Sequence, residues 1–158
     1  MHSVYQQRLD RVRENMKEQG LTQILVSSTE SVFYLTGLWI VPMERQLALY
    51  LHEDGQCVLF GNDLFGITSV EGWELKLHND ADDPVADIAA VVRPGVLGID
   101  KVWPSRFLIS LMEKRNDIRP AVGSAPVDDA RKQKDEAEAK AMREASALND
   151  RVMEQVIR

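Results

Sequence analysis

Residues 45–60, RQLALYLHEDGQCVLF, hold two short apolar runs joined by a polar turn. Both runs are rich in Leu, Val, Tyr and Phe, which favour strands, and Asp54-Gly55 between them is a dipeptide typical of tight turns. The stretch therefore predicts a β-hairpin. Because the two strands of a hairpin are antiparallel, a sheet that contains them is not purely parallel.

The segments around the hairpin predict an alternation of helices and strands. An amphipathic helix precedes it, with Tyr5, Leu9, Val12 and Met16 on one face and Gly20 as its C-terminal stop. The other predicted strands are residues 22–28, 73–77, 96–100 and 117–122, and the other predicted helices are residues 30–36, 82–95 and 104–115. The alternation in the second half, added to the hairpin in the first, predicts an α/β fold on a mixed sheet of about five or six strands.

The last segment, residues 131–158, has no glycine or proline and predicts one long helix that begins near Val127. Its apolar residues recur three or four positions apart and therefore share a face: Ala141, Ala145, Leu148, Val152 and Val156. Part of this face can lie on the domain's own sheet. We expect the far end, residues 152–158, to reach beyond it and to need a partner.

The composition excludes several classes of function. A net charge of -6 with scattered basic residues argues against nucleic-acid binding. The most apolar run, residues 32–41, is about half of the ~20 residues that span a bilayer, so we expect no membrane segment. The single cysteine, Cys57, lies in a strand-like context and is expected to be a buried, reduced thiol. A reduced thiol and the lack of a secretory signal favour the cytoplasm.

The sequence contains no recognisable catalytic or metal-binding motif. His2, His52 and His78 do not cluster with Cys or carboxylates, and we expect them to be exposed at the surface. The acidic run at residues 79–83 lacks the ligand spacing of a calcium loop and ends in a helix cap at Asp83. We therefore predict no catalytic residue and no metal ligand in this chain.

One loop still carries candidate side chains, between the Gly37 stop and the hairpin. Packing is the favoured interpretation for Trp39, and Arg45 is equally well explained as a surface charge at the start of a strand.

Two patterns together resemble a known family. YLTG at residues 34–37 follows a helix-Gly-strand unit, and the tail has Arg131, Lys134 and Glu138 in an R-x-x-K-x-x-x-E pattern, with Ala145 seven residues later. In this combination the chain resembles, over its whole length, the N-terminal domain of the creatinase/prolidase/aminopeptidase P family. Gln133 departs from the pattern, since the family usually has an apolar residue before the lysine.

The resemblance implies a three-layer α/β/α domain at residues 1–126 and a connecting helix at residues 127–158. In this family a C-terminal "pita-bread" domain follows and binds two divalent metals (Mn, Co or Zn) through two Asp, one His and two Glu. Those ligands would lie downstream of Arg158. The chain is thus expected to be the non-catalytic N-terminal domain of an Xaa-Pro dipeptidase or aminopeptidase, inactive without its catalytic domain.

The resemblance also assigns partners and substrate-proximal residues. It implies a homodimer in which the loop after YLTG approaches a peptide or small-molecule substrate in the neighbouring subunit. In that setting Trp39 would pack on a proline ring and Arg45 would bind a substrate carboxylate. Two alternatives stay open: the N-terminal domain of a creatinase-like amidinohydrolase or other small-molecule hydrolase, and a stand-alone protein-interaction module.

Overall fold

The computed structural model describes residues 3–157, which are organised around a six-stranded sheet. The strands are β1 (Gln23–Val26), β2 (Ala48–His52), β3 (Cys57–Asn62), β4 (Glu74–His78), β5 (Gly95–Ile99) and β6 (Ile118–Val122). The helices are α1 (Val4–Glu18), α2 (Thr29–Thr36), α3 (Ala86–Val91), α4 (Ser105–Lys114), α5 (Ala125–Lys132) and α6 (Glu136–Val156). Among the described residues, no helix is long and apolar enough to cross a membrane.

The sheet is mixed, as the hairpin predicts. Its strand order is β4-β3-β2-β1-β5-β6, and β2 pairs antiparallel with both β1 and β3, whereas the other pairs are parallel. The hairpin turns at Gly55, whose φ of 104° is accessible to glycine. Because β2 alone runs in the opposite direction, the carboxyl ends of five strands and the start of β2 share one edge of the sheet. The strand predicted at residues 73–77 is confirmed as β4, which lies at one edge of the sheet.

Helices cover both faces of the sheet, so the three-layer α/β/α prediction is confirmed. On one face α1, α2 and α5 bury a core with alternate residues of β1, β2 and β3. On the other face α3 and α4 pack against the intervening residues of the same strands and against β5 and β6. The alternation is clearest in β2, where Leu49 faces the first core and Tyr50 the second.

Helices α3 and α4 supply the helical side of the second core. α3 begins at Ala86, later than the predicted start at residue 82, although the Asp83 carboxylate does accept a hydrogen bond from the Val85 N–H at 3.0 Å. Met112 of α4 is 45% exposed, while Phe107 and Leu111 carry the contact with the sheet.

The prediction of one helix from residue 127 to residue 158 is wrong. α5 ends at Lys132, the backbone at Gln133 is extended, and α6 begins only at Glu136. The break has a local cause, because Asp135 caps the new helix by accepting from the Glu138 N–H while the Glu138 carboxylate accepts from the Asp135 N–H. Arg158 lies outside the described residues.

The two helices differ in where they pack. α5 belongs to the first core through the buried residues Val127 and Ala130. α6 has no buried residue along its whole length. The element that leaves the domain is therefore α6 alone, and the position at which a catalytic domain would begin stays a prediction.

Candidate functional site

The loop between α2 and β2 is an ordered turn on the surface. Gly37 ends α2 in the left-handed conformation, with φ at 76°. The Thr29 hydroxyl then holds the loop by donating a hydrogen bond of 2.7 Å to the Ile40 carbonyl. Further along, Met43 also has a positive φ, 55°, and is 75% exposed.

Trp39 lies outside the core, so the expectation that it is packed there is wrong. Its neighbours Leu38 and Ile40 pack against the first core, which turns the side chain between them outward. Trp39 is 62% exposed and forms an edge-to-face pair with Phe33, with ring centroids 5.7 Å apart. The two rings form an aromatic pair at the surface, a feature that is common where a second surface docks.

Arg45 is already bound to carboxylates of its own chain. Two of its nitrogens donate to the two Asp80 carboxylate oxygens, Nε at 2.9 Å and Nη2 at 2.7 Å. Its Nη1 donates to Glu44 at 3.0 Å. The hydrogen bonds from Arg45 lower the pKa of Asp80, to which the Asn62 amide also donates. A substrate carboxylate would therefore have to replace Asp80 before it could form a bidentate pair with Arg45.

The two candidate residues line different cavities. Trp39 borders a cavity of about 280 Å³ beside the α5–α6 junction. Arg45 lines two other cavities at the edge of the sheet, with volumes of about 450 Å³ and 300 Å³. The substrate role of Trp39 and Arg45 stays a prediction.

Arg8 of helix α1 contacts the first residues of α6 and so sets the position of that helix. Arg8 donates to the Tyr34 carbonyl at 2.9 Å and to the Asp135 carboxylate at 2.7 Å, and it lies 3.2 Å from Glu138. Its guanidinium also stacks over the Tyr34 ring, 4.5 Å from the centroid. The Asp135 pKa is lowered by the N–H of Glu138 and by Arg8. Arg8 therefore ties the capped start of α6 to α1 and α2.

The residues of the tail pattern gather at this same junction. Arg131 donates to the Ser31 hydroxyl at 3.4 Å, and the Lys134 ammonium donates to the Arg131 carbonyl. Glu138 completes the helix cap, and Tyr34 donates its hydroxyl to the Ala130 carbonyl at 3.3 Å. The YLTG segment and the tail pattern thus lie next to each other, and together they set the direction in which α6 extends from the domain. Sequence reasoning missed Arg8, because its partners lie far away along the chain.

Beyond the junction, α6 presents its apolar residues to solvent. All five residues of the predicted face are exposed, Leu148 at 55%, Val152 at 47% and Val156 at 73% among them. The expectation that the far end is uncovered is confirmed for its described residues, 152–157, and the uncovered stretch is longer than expected. Covering each large apolar side chain is worth roughly 1.5–3 kcal/mol. An exposed apolar face of this length is therefore unfavourable in water.

The described residues include no cluster of His, Cys, Asp and Glu that could hold a metal ion. His52 is buried, contrary to the expectation, with Nδ1 2.9 Å from the Asp54 carboxylate. His78 is half-buried, and His2 lies outside the described residues. Cys57 is a free, buried thiol as predicted, and burial raises its pKa.

A comparison with known protein families agrees with the fold. The model of the creatinase/prolidase N-terminal domain matches residues 8–133. The chain belongs to the creatinase/prolidase N-terminal domain family. Among curated relatives, it is 27% identical over 154 residues to a Bacillus subtilis (strain 168) protein named "Putative dipeptidase YkvY". That match covers 90% of this chain and 42% of the relative.

Solved structures show the same fold at low sequence identity. A prolidase from Thermococcus sibiricus superimposes with a TM-score of 0.84 at 21% identity, covering 99% of this chain and 45% of that chain. A dipeptidase from Pyrococcus horikoshii OT3 gives 0.84 at 23% identity, covering 95% and 43%. The creatinase/prolidase N-terminal domain of an X-Pro dipeptidase from Streptococcus pyogenes gives 0.59 at 22%, covering 72% and 92%. The chain thus spans less than half the length of the Bacillus subtilis relative and of the Thermococcus and Pyrococcus enzymes.

Proposed function

We propose that this creatinase/prolidase N-terminal domain is the non-catalytic part of an Xaa-Pro-type metallopeptidase, and that α6 connects it to a catalytic domain. The observation that carries the proposal is α6 itself, which has no buried residue. The superposition on the Thermococcus sibiricus prolidase covers 99% of this chain, and so includes most of α6, while this chain spans 45% of that one. An apolar helix in that place supports contact with a following domain.

In this proposal the domain contributes shape rather than chemistry. The Phe33–Trp39 pair and the loop to Arg45 form an exposed surface that would border a peptide cleft, and a homodimer would bring this surface to the neighbouring subunit. The described residues do not fit a metal site. The two divalent metals would therefore belong to the catalytic domain. The reduced thiol of Cys57 supports a cytoplasmic location for the whole protein.

The first test is activity of this 158-residue chain on Xaa-Pro dipeptides with added Mn²⁺ or Co²⁺. We expect no turnover above a metal-only blank. Measurable turnover that copurifies with the folded chain would contradict the proposal. The coding sequence beyond codon 158 gives an independent check, because the proposal requires metal ligands there in the order Asp, Asp, His, Glu, Glu.

The second test separates substrate binding by Arg45 from its ion pair with Asp80. In the full-length enzyme, Arg45→Ala should raise KM for short substrates. Asp80→Asn should lower KM, because it weakens the internal competitor for the guanidinium. If the ion pair only holds the loop, both variants change the kinetics in the same direction. Arg119→Ala, an exposed arginine on β6, is the matched control.

A further inference from the structure

A cavity beside the sheet edge lies where β3 and β4 end and β2 begins. It has a volume of about 450 Å³, and its wall includes Gln46, Asn62 and His78. The first turn of α4 closes the opposite side through Arg106 and Phe107. Carboxyl edges of strands and N-termini of helices are where α/β folds commonly bind ligands.

Gln46 in this wall is a buried amide without a partner. The residue is 1% exposed, and neither its Nε2 nor its Oε1 has a hydrogen bond within the described structure. Burying an unpaired amide is unfavourable, so such a group calls for a specific partner. A side-chain amide both donates and accepts. The group that matches it is another amide, such as a peptide unit, whose C=O accepts from Nε2 and whose N–H donates to Oε1.

The wall contains one arginine that has no ion pair within the described part of the chain. Arg106 is exposed, lies over the Phe107 ring at 4.6 Å from the centroid, and has no ion pair or hydrogen bond among residues 3–157. Of the three carboxylates in the wall, Glu44 and Asp80 form ion pairs with Arg45, whereas Asp82 accepts a hydrogen bond from the Asn79 N–H and has no ion pair among the described residues.

The start of α4 reinforces this positive charge. The helix has ten residues, no acidic residue in its first turn, and Pro104 in the cap position without a capping side chain. Its unpaired N–H groups and the helix dipole favour an anion there. The wall thus combines a free guanidinium and a helix N-terminus with a buried amide.

We propose that this cavity binds the C-terminal end of a short peptide or an acylated amino acid. The carboxylate lies at Arg106 and the first turn of α4, and the adjacent peptide unit pairs with the Gln46 amide. Both Gln46 amide atoms are closed to solvent, so binding requires the wall side chains around them to rearrange. The proposal uses this chain alone and does not depend on the peptidase assignment.

The test is a titration of the 158-residue chain with N-acetyl-alanine, which carries one amide and one carboxylate, followed by the NMR shifts of the Gln46 side-chain amide and of Arg106 Nε–H. For so small a ligand we expect a Kd on the order of 1 mM. Acetate lacks the amide and N-acetyl-alaninamide lacks the carboxylate, so each should bind at least about tenfold more weakly.

Variants decide which side chains are responsible. Arg106→Gln should lose at least about tenfold in affinity, whereas Arg119→Gln, the same change at the opposite edge of the sheet, should bind like the unaltered chain. Gln46→Leu should lose binding while its melting temperature rises, because it removes an unpaired buried amide. Equal affinity for acetate would show an adventitious anion site only. That result, the absence of saturable shifts, or unchanged affinity in Arg106→Gln would each overturn the proposal.

Discussion

At the residue scale, Gly37 in the YLTG pattern is required for two reasons. Its φ of 76° is left-handed, and a Cβ at this position would overlap the phenol of Tyr5, with Cζ only 2.9 Å away. Gly20 is left-handed as well, with φ at 67°, but nothing lies within 4 Å of its Cβ position. Comparing substitutions at Gly20 and Gly37 therefore separates the effect of backbone strain from the effect of steric overlap.

We expect Gly20→Ala to lower the free energy of unfolding by about 1 kcal/mol, the strain of a left-handed alanine. Gly37→Ala should cost about 2–3 kcal/mol, because Tyr5 must also move. Urea denaturation of both variants checks the difference. Equal losses would show that the Tyr5 ring shifts freely.

Asp54, in the hairpin turn, makes stability depend on pH. The Gln56 N–H, with the Arg93 guanidinium and His52, lowers its pKa from 3.8 to about 2. Between pH 3.8 and about pH 2, the Asp54 carboxylate is protonated more readily in the unfolded chain than in the folded one. The contribution of Asp54 to stability is therefore present above pH 3.8 and is lost as the pH falls through about 2.

Urea denaturation midpoints measured above pH 3.8 and at about pH 2 report how much stability depends on Asp54. Asp54→Asn should show a smaller loss of stability on acidification than the unaltered chain. Asp87→Asn is the control, since the exposed Asp87 has no ion pair among the residues that the structure describes. The same acid response in both variants would rule out Asp54 as its source.

At the scale of elements, the break between α5 and α6 depends on Asp135. Its carboxylate accepts from the Glu138 N–H at 2.8 Å and from Arg8 at 2.7 Å. Asp135→Ala removes both interactions and should lower the free energy of unfolding by about 1–2 kcal/mol. Asp135→Asn keeps a capping oxygen and should lose less.

Unfolding free energies and far-UV helicity measure this effect, and Asp150→Ala provides the comparison within α6. Asp150 lies in the exposed interior of the helix, where alanine is favoured, so its replacement should not destabilise. If Asp135→Ala behaves like Asp150→Ala, the cap does not hold the junction.

The elements differ in how far local sequence determines them. The hairpin, the Gly20 and Gly37 stops and the six strands follow from patterns within a few residues, and the structure contains them all. The α5–α6 break also had a local signal, the D-x-x-E capping pattern at Asp135, but unbroken helical composition outweighed it. The role of Arg8 had no such signal, because its partner Asp135 lies 127 residues away.

The candidate site also depends on contacts that the local sequence does not reveal. Residue type suggested that Trp39 is packed, yet its exposure follows from Leu38 and Ile40 facing the core. For Gln46, the decisive property is that its side-chain amide has no hydrogen-bond partner within residues 3–157. That property exists only once distant elements have come together.

At the scale of the whole molecule, the exposed face of α6 predicts that one pair of changes has different effects in two settings. Leu148 and Val152 are adjacent on this face and are 55% and 47% exposed. In the 158-residue chain, Leu148→Glu with Val152→Glu should alter the free energy of unfolding by no more than about 0.5 kcal/mol, as exposed substitutions do.

In the full-length enzyme that we propose, the same pair would place two charges in an apolar contact between domains. We expect a loss of at least about 3 kcal/mol in unfolding free energy, together with a fall in kcat/KM on Xaa-Pro peptides. Arg143→Glu with Ala147→Glu adds two glutamates on the far side of α6 and should leave both properties nearly unchanged. If the two pairs behave alike in the full-length enzyme, this face of α6 does not contact the catalytic domain. A large loss already in the 158-residue chain would instead show that the face packs within the domain itself.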